Sequence, residues 1–385
     1  MRRFVLALSL TLAACGRTGP AGSTTSLPVS GYEVDARGAT AVIDQSWTLR
    51  GNGQPIGLIM GVVRCGDTLL LSDSQGVIRR MNLESGRTEP SIAEGRENAA
   101  FGADCDKRLV YTLGSQGFKR SARSRRILSM IDIDTGEERG STALDLMMVT
   151  DSVASVVHGQ FVVGGTWMPT PDGEYRHPPA AAFFSDKKIG FGVNLSSGKA
   201  EPAFDPYEMS CRGAGRCVGG SLSRVNGSDA VVWVAAQPAS PEIGLYDDHR
   251  RLVRRLNIKS PLFLADGHTL ESLDAGQSVR WSASNSLVSM AHAFGGDVVA
   301  TVHQLTRLPE RWQFGQPVEF EWWMNLHSLG GRKLVADIRI PGMPVGRDDT
   351  HVYAIDYGPG GRLGAPDSVK ILRIPVKTGT EGFVR

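Results

Sequence analysis

The ten residues MNLESGRTEP, beginning at Met81, return as IDIDTGEERG from Ile131 and as VNLSSGKAEP from Val193. Each copy is a short alternating strand, a tight Gly turn and a polar return. A wider frame surrounds each copy. GDTLLLSD, a turn at Ser74 to Gly76, VIRRMNL and ESGRTEPSI form one unit; KRLVYTLG, RILSMIDID and TGEERGSTAL form a second; GQFVVGGTW, IGFGVNL and SSGKAEPAF form a third. DAVVWVAA with IGLYDD and HRRLVRRLNI is a fourth, and GDVVATVHQL with EFEWWMNLH and SLGGRKLVADIRI a fifth. THVYAIDYG with SVKILRIPV is the sixth. Period-two alternation bounded by Gly, Asp, Asn and Ser is the strand-and-hairpin signal. A unit recurring every ~50–80 residues marks a repeat architecture.

Each unit also has a candidate strand upstream, such as LIMGVV before Cys65 or LVSMAHA before Gly295. Four short antiparallel strands make one propeller blade, and radial repetition leaves few exposed sheet edges. The expectation is an all-β chain, a six-bladed β-propeller of four-stranded antiparallel blades over residues 39–385. The irregular spacing leaves room for a seventh blade, and a pair of β-sandwiches is the alternative. After SVKILRIPV the sixth unit has only KTGTEGFVR to offer as an outer strand, whereas ATAVIDQSWTLR has no unit of its own. This N-terminal strand is expected to complete the last blade and close the ring, so that neither end presents unpaired backbone. Forty-six glycines and twenty prolines fit many short strands and turns.

The chain opens MRRFVLALSLTLAAC, with an apolar run from Phe4 to Ala14 and small residues before Cys15. That run is far shorter than the roughly 20 residues a membrane-spanning helix needs, so residues 1–14 read as a signal peptide. Leu12-Ala13-Ala14-Cys15 resembles the bacterial lipobox, which implies cleavage before Cys15 and lipidation of that residue; an ordinary secretory signal is the alternative. Several acyl chains anchor stably, because each buried CH₂ contributes about 0.8 kcal/mol. Gly16, where inner-membrane retention would use Asp, is compatible with outer-membrane sorting, facing the periplasm or the cell surface. Residues 15–38 are small, polar and rich in Pro and Gly, and read as a lipidated, flexible tether.

Four cysteines remain. An even number in an exported chain suggests two disulfides. Cys211 and Cys217 enclose RGAGR and could close on each other, which by elimination leaves Cys65 with Cys105; reduced, buried thiols are the alternative. Cys65 and Cys105 each precede the second strand of their unit, so their bridge would tie blade one to blade two if the Cα atoms approach within about 7 Å. No CxxC pair and no histidine at ligand spacing points to zinc, and no metal or cofactor is expected. A net charge of +2 carries no global signature of nucleic-acid binding.

On the MNLESG, IDIDTG and VNLSSG turns and the GDTLLLSD-type strands, the folded region resembles the six-bladed β-propellers of bacterial lipoproteins and secreted proteins, in the TolB-like/NHL-like class. The resemblance implies a fold and no activity, because propellers host hydrolases, lyases and binding modules alike.

The chain has neither a GxSxG elbow nor an HExxH motif. The pairs Asp104/Asp106, Asp132/Asp134, Asp247/Asp248 and Asp348/Asp349 sit near expected turns, where Asp accepts bonds from local backbone N–H groups. A metal-dependent propeller hydrolase or lactonase, with inward Glu, Asn and Asp from different blades, is the alternative function. The long connections favour another reading. SQGFKRSARSRR, TWMPTPDGEYRHPPAAAFFSDKK, QPASPE, TRLPERWQFGQP and GPGGRLGAPDS all fall between the second and third strands of their units, so all should leave one face. Loops on a rigid scaffold commonly carry function. Lys119, Arg120, Arg123, Arg125 and Arg126 crowd one of them, and the others add Trp167, Tyr175, His177, Phe183, Phe184, Arg311, Trp312 and Phe314. Arg and aromatics are enriched in interaction surfaces, and a cationic patch attracts anions. The expectation is a lipid-anchored, non-enzymatic propeller binding or scaffolding a protein or glycan through that face. The competing reading has the basic run solvated and the aromatics packed under their own loops. Trp322 and Trp323, in EFEWWMN, alternate within a strand and are expected to pack between blades.

Overall fold

The computed structural model describes residues 37–93, 98–115, 126–144, 146–169, 188–206, 221–225, 232–265, 275–294, 298–328, 334–358 and 366–376. These residues form an all-β fold with one α-helix, α1 (Ala275–Ser284). Strands β3 (Ile59–Cys65), β4 (Thr68–Asp73), β5 (Ile78–Asn82) and β6 (Thr88–Ala93) pair in order as an antiparallel meander. The pattern repeats in β7 (Asn98–Asp104), β8 (Leu109–Ser115), β9 (Arg126–Asp132) and β10 (Glu138–Leu144). It repeats again in β11 (Leu146–Val157), β12 (Gln160–Pro169), β13 (Lys188–Asn194) and β14 (Ala200–Pro206). Two further meanders are β15 (Ser221–Arg224) to β18 (Leu252–Asn257), through β16 (Trp233–Ala236) and β17 (Glu242–Tyr246), and β19 (Leu287–Phe294) to β22 (Leu334–Ile340), through β20 (Val298–Arg307) and β21 (Glu319–Ser328). The last consists of β23 (Met343–Arg347), β24 (His351–Asp356) and β25 (Ser368–Pro375), completed by an N-terminal strand, β2 (Gln45–Arg50).

Two of the junctions between meanders are themselves hydrogen-bonded. β7 meets β11 in parallel at Phe101–Val153, and β23 meets β3 at Gly346–Val62, so four of the meanders merge into two eight-stranded sheets. Each junction has one position where a side chain would collide with the neighbouring backbone. A Cβ on Gly346 would stand 2.5 Å from the Val62 carbonyl oxygen, and one on Gly102 would stand 2.6 Å from that of Ala154. Between β15 and β19 serines replace the backbone pairing. The Ser221 hydroxyl accepts from the Ala291 N–H at 2.8 Å, and the Ser223 hydroxyl donates to the Ala291 carbonyl at 2.7 Å.

The core is a series of interfaces between successive meanders. Leu69 and Leu71 of β4 pack with Tyr353, Ile355 and Ile371 on one side, while Leu70 packs with Phe101 and Val110 on the other. Period-two alternation therefore feeds two buried faces, and a central strand such as TLLLSD reads as a continuous apolar run. Similar clusters join each meander to the next, and the last, through Val345 and Val369, joins back to Ile59 and Val62 of β3. Trp322 and Trp323 are buried, in keeping with their alternation. Radial meanders around a common axis make a β-propeller.

The recurrent turns share one mechanism. Asn82, Asp132 and Asn194 each end a third strand, and their side chains accept the N–H two or three residues on: Ser85 at 2.8 Å, Thr135 at 2.9 Å and Ser197 at 2.9 Å. The N–H of Gly86, Gly136 and Gly198 then returns to the same residue's carbonyl, with φ between 65° and 74°. That left-handed conformation favours glycine. The fourth meander uses a tighter turn from Asp247, and Arg250 takes the left-handed position at φ 60°. Its guanidinium lies over Phe204 and Trp233, and its Nη2 donates to Gln160 of the preceding meander.

ATAVIDQSWTLR does more than the one strand expected of it. Gln45–Arg50 pairs antiparallel with β25, but Arg37–Thr40 forms a separate strand, β1, running parallel to β22. One segment thus covers the outer edges of two neighbouring meanders. The Cys65–Cys105 disulfide is present, with Cα atoms 5.2 Å apart, and it links the first two meanders as expected. Cys211 and Cys217 lie outside the described residues, as do residues 1–36. No described helix is long and apolar enough to cross a membrane.

Candidate functional site: the loop-bearing face and the axial cavity

Strand direction assigns each connection to a face. In an antiparallel meander, turns after the first and third strands leave one end, and those after the second and fourth leave the other. The first end has short turns, including 66–67, 83–87 and 158–159, together with the disulfide. The second receives all the long connections: 116–125, 170–187, 308–318 and 357–367 between second and third strands, and 207–220 and 258–286 between meanders. The shared exit expected from the sequence therefore holds for the strands that bound these loops. The first and fourth meanders are the exceptions: the connection within QPASPE is only 237–241, and the first meander closes its 74–77 turn on Asp73. That carboxylate accepts the N–H groups of Gly57, Gln75 and Val77 and pairs with buried Arg79 at 3.3 Å.

Lys119, Arg120, Arg123, Arg125, Tyr175, His177, Phe183 and Phe184 lie outside the described residues. Arg126 opens β9, and Trp167 lies in β12 opposite Met148, where that hairpin runs past Thr150 toward the loop-bearing face. The 308–318 connection is described in full. Arg311 is exposed and Phe314 is 64% exposed. Trp312 does not belong with them: it is buried against Val318, Leu308 and Phe320 and against Val279 of α1, with its Nε1 donating to the Gln316 carbonyl at 3.2 Å. An apolar ring in a loop this long can build a small core of its own, and here it supports Phe314 edge-on, with ring centroids 6.5 Å apart. The contact with α1 also shows two of the long connections packing together on the same side.

A cavity of about 490 Å³ lies on the axis, walled by the first strand of every meander. Its short-turn end is polar. Arg64 donates to Asp348 at 3.0 Å, and Tyr353 donates to the same carboxylate at 2.8 Å. Burial pushes the Asp348 carboxyl up, but bonds from His351, Thr350, Tyr353 and Arg64 outweigh it and hold the group well below the usual carboxylate range. His292 is buried, and desolvation, with Arg347 nearby, keeps its pKa well below the ordinary value. Its tautomer follows from its partners. The Ser223 hydroxyl hydrogen is committed to Ala291, so Ser223 accepts from His292 Nδ1–H at 3.1 Å. His292 Nε2 then carries the lone pair that faces Arg347 at 3.4 Å. Among the described residues Asp348 and Asp349, adjacent on one meander, are the carboxylates lining the cavity, and no cluster of three metal-ligating side chains occurs. The other aspartate pairs act in turns: Asp104 accepts from Lys107, Asp132 caps its turn, and Asp247 accepts the Arg251 N–H.

The sequence reading passed over this mouth. A signal was present: VVRCGD, SLSRV and PVGRDD each place an arginine just before the turn that leads to a second strand.

No protein-family model and no curated protein sequence matches the chain. Among solved structures it is similar to a member of the DUF4221 family from Bacteroides vulgatus, with a TM-score of 0.60 and 11% identity over 88% of this chain and 98% of that one. It also aligns with the β-propeller domain of Cps50 (Swd1) from Myceliophteria thermophila, at a TM-score of 0.44 and 10% identity over 87% of this chain and 99% of that one. The RRP9 WD40 repeats give a TM-score of 0.43 and 12% identity over the same shares. At these identities the likeness concerns the fold alone, and the two lower scores carry no argument.

Proposed function

We propose that the chain is a lipid-anchored, six-bladed β-propeller that binds or scaffolds a protein or glycan partner in the cell envelope through the connections on one face. In this reading each four-stranded meander is one blade, β2 closes the ring, and Cys15 carries the acyl anchor at the outer membrane. The supporting observation is Phe314, an apolar ring left in solvent at the tip of a connection that is pinned beneath by Trp312. A rigid aromatic anchor loses little conformational freedom on binding, and such residues dominate interface energetics. The basic run at 119–126 adds attraction for an anionic partner.

Two substitutions separate the parts. Cys15→Ser should move the protein from the membrane fraction to the soluble fraction, and unchanged fractionation would remove the anchor from the account. Phe314→Ser, combined with neutralising Lys119, Arg120, Arg123, Arg125 and Arg126, should weaken retention of envelope components at least ten-fold and flatten its salt dependence. Equal retention by the variant and the unaltered protein would count against the loop face.

A further inference from the structure

Each meander ends in an outer strand, and the edge of such a strand is a row of backbone donors and acceptors open to pairing. Most of these edges are protected. β2 covers β25, β1 covers β22, Pro90 interrupts β6, and Pro202 and Pro206 interrupt β14. β10, with the sequence ERGSTAL, leaves no large apolar side chain in solvent.

β18 differs from all of them. It is the outer strand of the four-stranded sheet that begins at β15, and no described strand pairs with its far edge. It contains no proline, and it leaves Leu252 37% and Val253 53% exposed. The register shows which backbone groups face outward. The Ile258 N–H donates to the Pro241 carbonyl at 2.7 Å, in line with the pairing of Asn257 opposite Glu242. Antiparallel ladders alternate hydrogen-bonded and non-hydrogen-bonded pairs, so the N–H and C=O of Asn257 point away from β17. The bond from the Asp247 N–H to the Arg251 carbonyl, at 3.0 Å, gives Leu252 the same orientation. A one-residue slip in register at Val253 separates the two. The hairpin turn before the strand is held by Arg251, which bonds Asp247 through both its backbone N–H and its side chain.

We infer that the outer edge of β18 takes an extended acidic segment of a partner protein as an additional strand, paired beside Asn257 and packed on Leu252 and Val253. The molecule already accepts a strand in this way, where β1 adds to β22, and an added strand gains main-chain bonds and side-chain contacts together. Charge selects the occupant. Residues 249–259 hold four arginines and a lysine with no carboxylate among them. Arg254 and Arg255 are both exposed and, as neighbours in a strand, point to opposite faces, so successive acidic side chains would each meet a guanidinium. A second copy of β18 would instead bring arginine against arginine, which is destabilising. This edge makes no use of the loop-bearing face, so the two readings stand or fall separately.

The test is titration of the full folded protein with a labelled, end-blocked peptide that carries two adjacent glutamates between valines and threonines. Fluorescence anisotropy should show saturable binding. At saturation, amide exchange over Leu252–Asn257 should slow at least ten-fold while exchange over Thr88–Ala93 is unchanged. Replacing the glutamates by glutamines, or N-methylating alternate residues of the peptide, should each weaken binding roughly ten-fold or more. Asn257→Pro removes an outward N–H and should lower peptide affinity to the same extent with little change in the thermal melt. Arg254→Glu, on an exposed side chain, should do likewise and keeps the test decisive if Asn257→Pro does not fold. The variant that combines Phe314→Ser with the neutralised basic run should bind the peptide as the unaltered protein does. Absence of saturable binding, protection outside β18, equal affinity for the N-methylated peptide, or equal affinity in folded Arg254→Glu protein would each overturn the inference. Self-association abolished by Asn257→Pro would overturn it too, because the occupant would then be a second copy of this chain.

Discussion

His303 and His327 stand in adjacent strands of the fifth meander, fully or almost fully buried, and desolvation lowers both pKa values to about 4. His303 packs edge-on against Phe263 at 5.2 Å, with Asn325 as a polar neighbour, while Lys259 further disfavours charge on His327. In the unfolded chain both titrate near 6.5. Between those values the unfolded state binds more protons, so stability must fall as pH drops from about 6.5 to about 4, by up to about 3 kcal/mol per imidazole. Asp348, with a depressed pKa, adds a separate loss only below its ordinary value of 3.8. His303→Phe should therefore reduce the slope of urea midpoint against pH between 6.5 and 4; an unchanged slope would refute the assignment. Asp73 poses a different problem. Removing it strands buried Arg79 and three backbone donors, so Asp73→Ala should cost about 3–5 kcal/mol by denaturant titration.

Elements meet where side chains are missing. Gly346 lets β23 lie against β3, and a methyl group there would also stand 2.8 Å from Val62 Cβ. Gly346→Ala is expected to cost about 1–3 kcal/mol by overpacking, read as a lowered melting temperature, and an unshifted melt would mean that the strands separate freely. Reduction of Cys65–Cys105, which closes a loop of 40 residues' separation, should cost about 2–4 kcal/mol. The strands themselves were legible, because a blade's central strand alternates into two apolar interfaces and shows up as TLLLSD or FVVGG. Turn residues were legible for the same local reason. The split of ATAVIDQSWTLR was not, since β1 is four residues long and pairs with a strand some 300 positions away. Helix α1 was missed because AGQSVRWSAS has few apolar residues and no acidic first turn. Trp312 could not be told from a surface aromatic, since part of its cover comes from Val279 of α1, distant in sequence. The arginines of the cavity mouth were visible as residues but not as neighbours, because three separate meanders bring them together.

At the scale of the whole molecule, one end is plain and the other elaborate. Short capped turns, the disulfide and the arginine-lined mouth occupy the first; every long connection leaves from the second. The N-terminal segment seals the structure, since Trp47 and Leu49 are buried between the last meander and the first. Deleting residues 37–50 should expose the β25 edge, and amide exchange at Ser368–Pro375 should then lose most of its protection while the third meander keeps its own. Uniform protection would mean that closure contributes little. The recognition surface can be interrogated directly by placing a photo-crosslinking phenylalanine at position 314, on the loop-bearing face, or at position 84, in an exposed turn on the other. The account predicts a discrete adduct with an envelope component from position 314 and none from position 84; adducts from position 84 alone, or from both in equal yield, would contradict it.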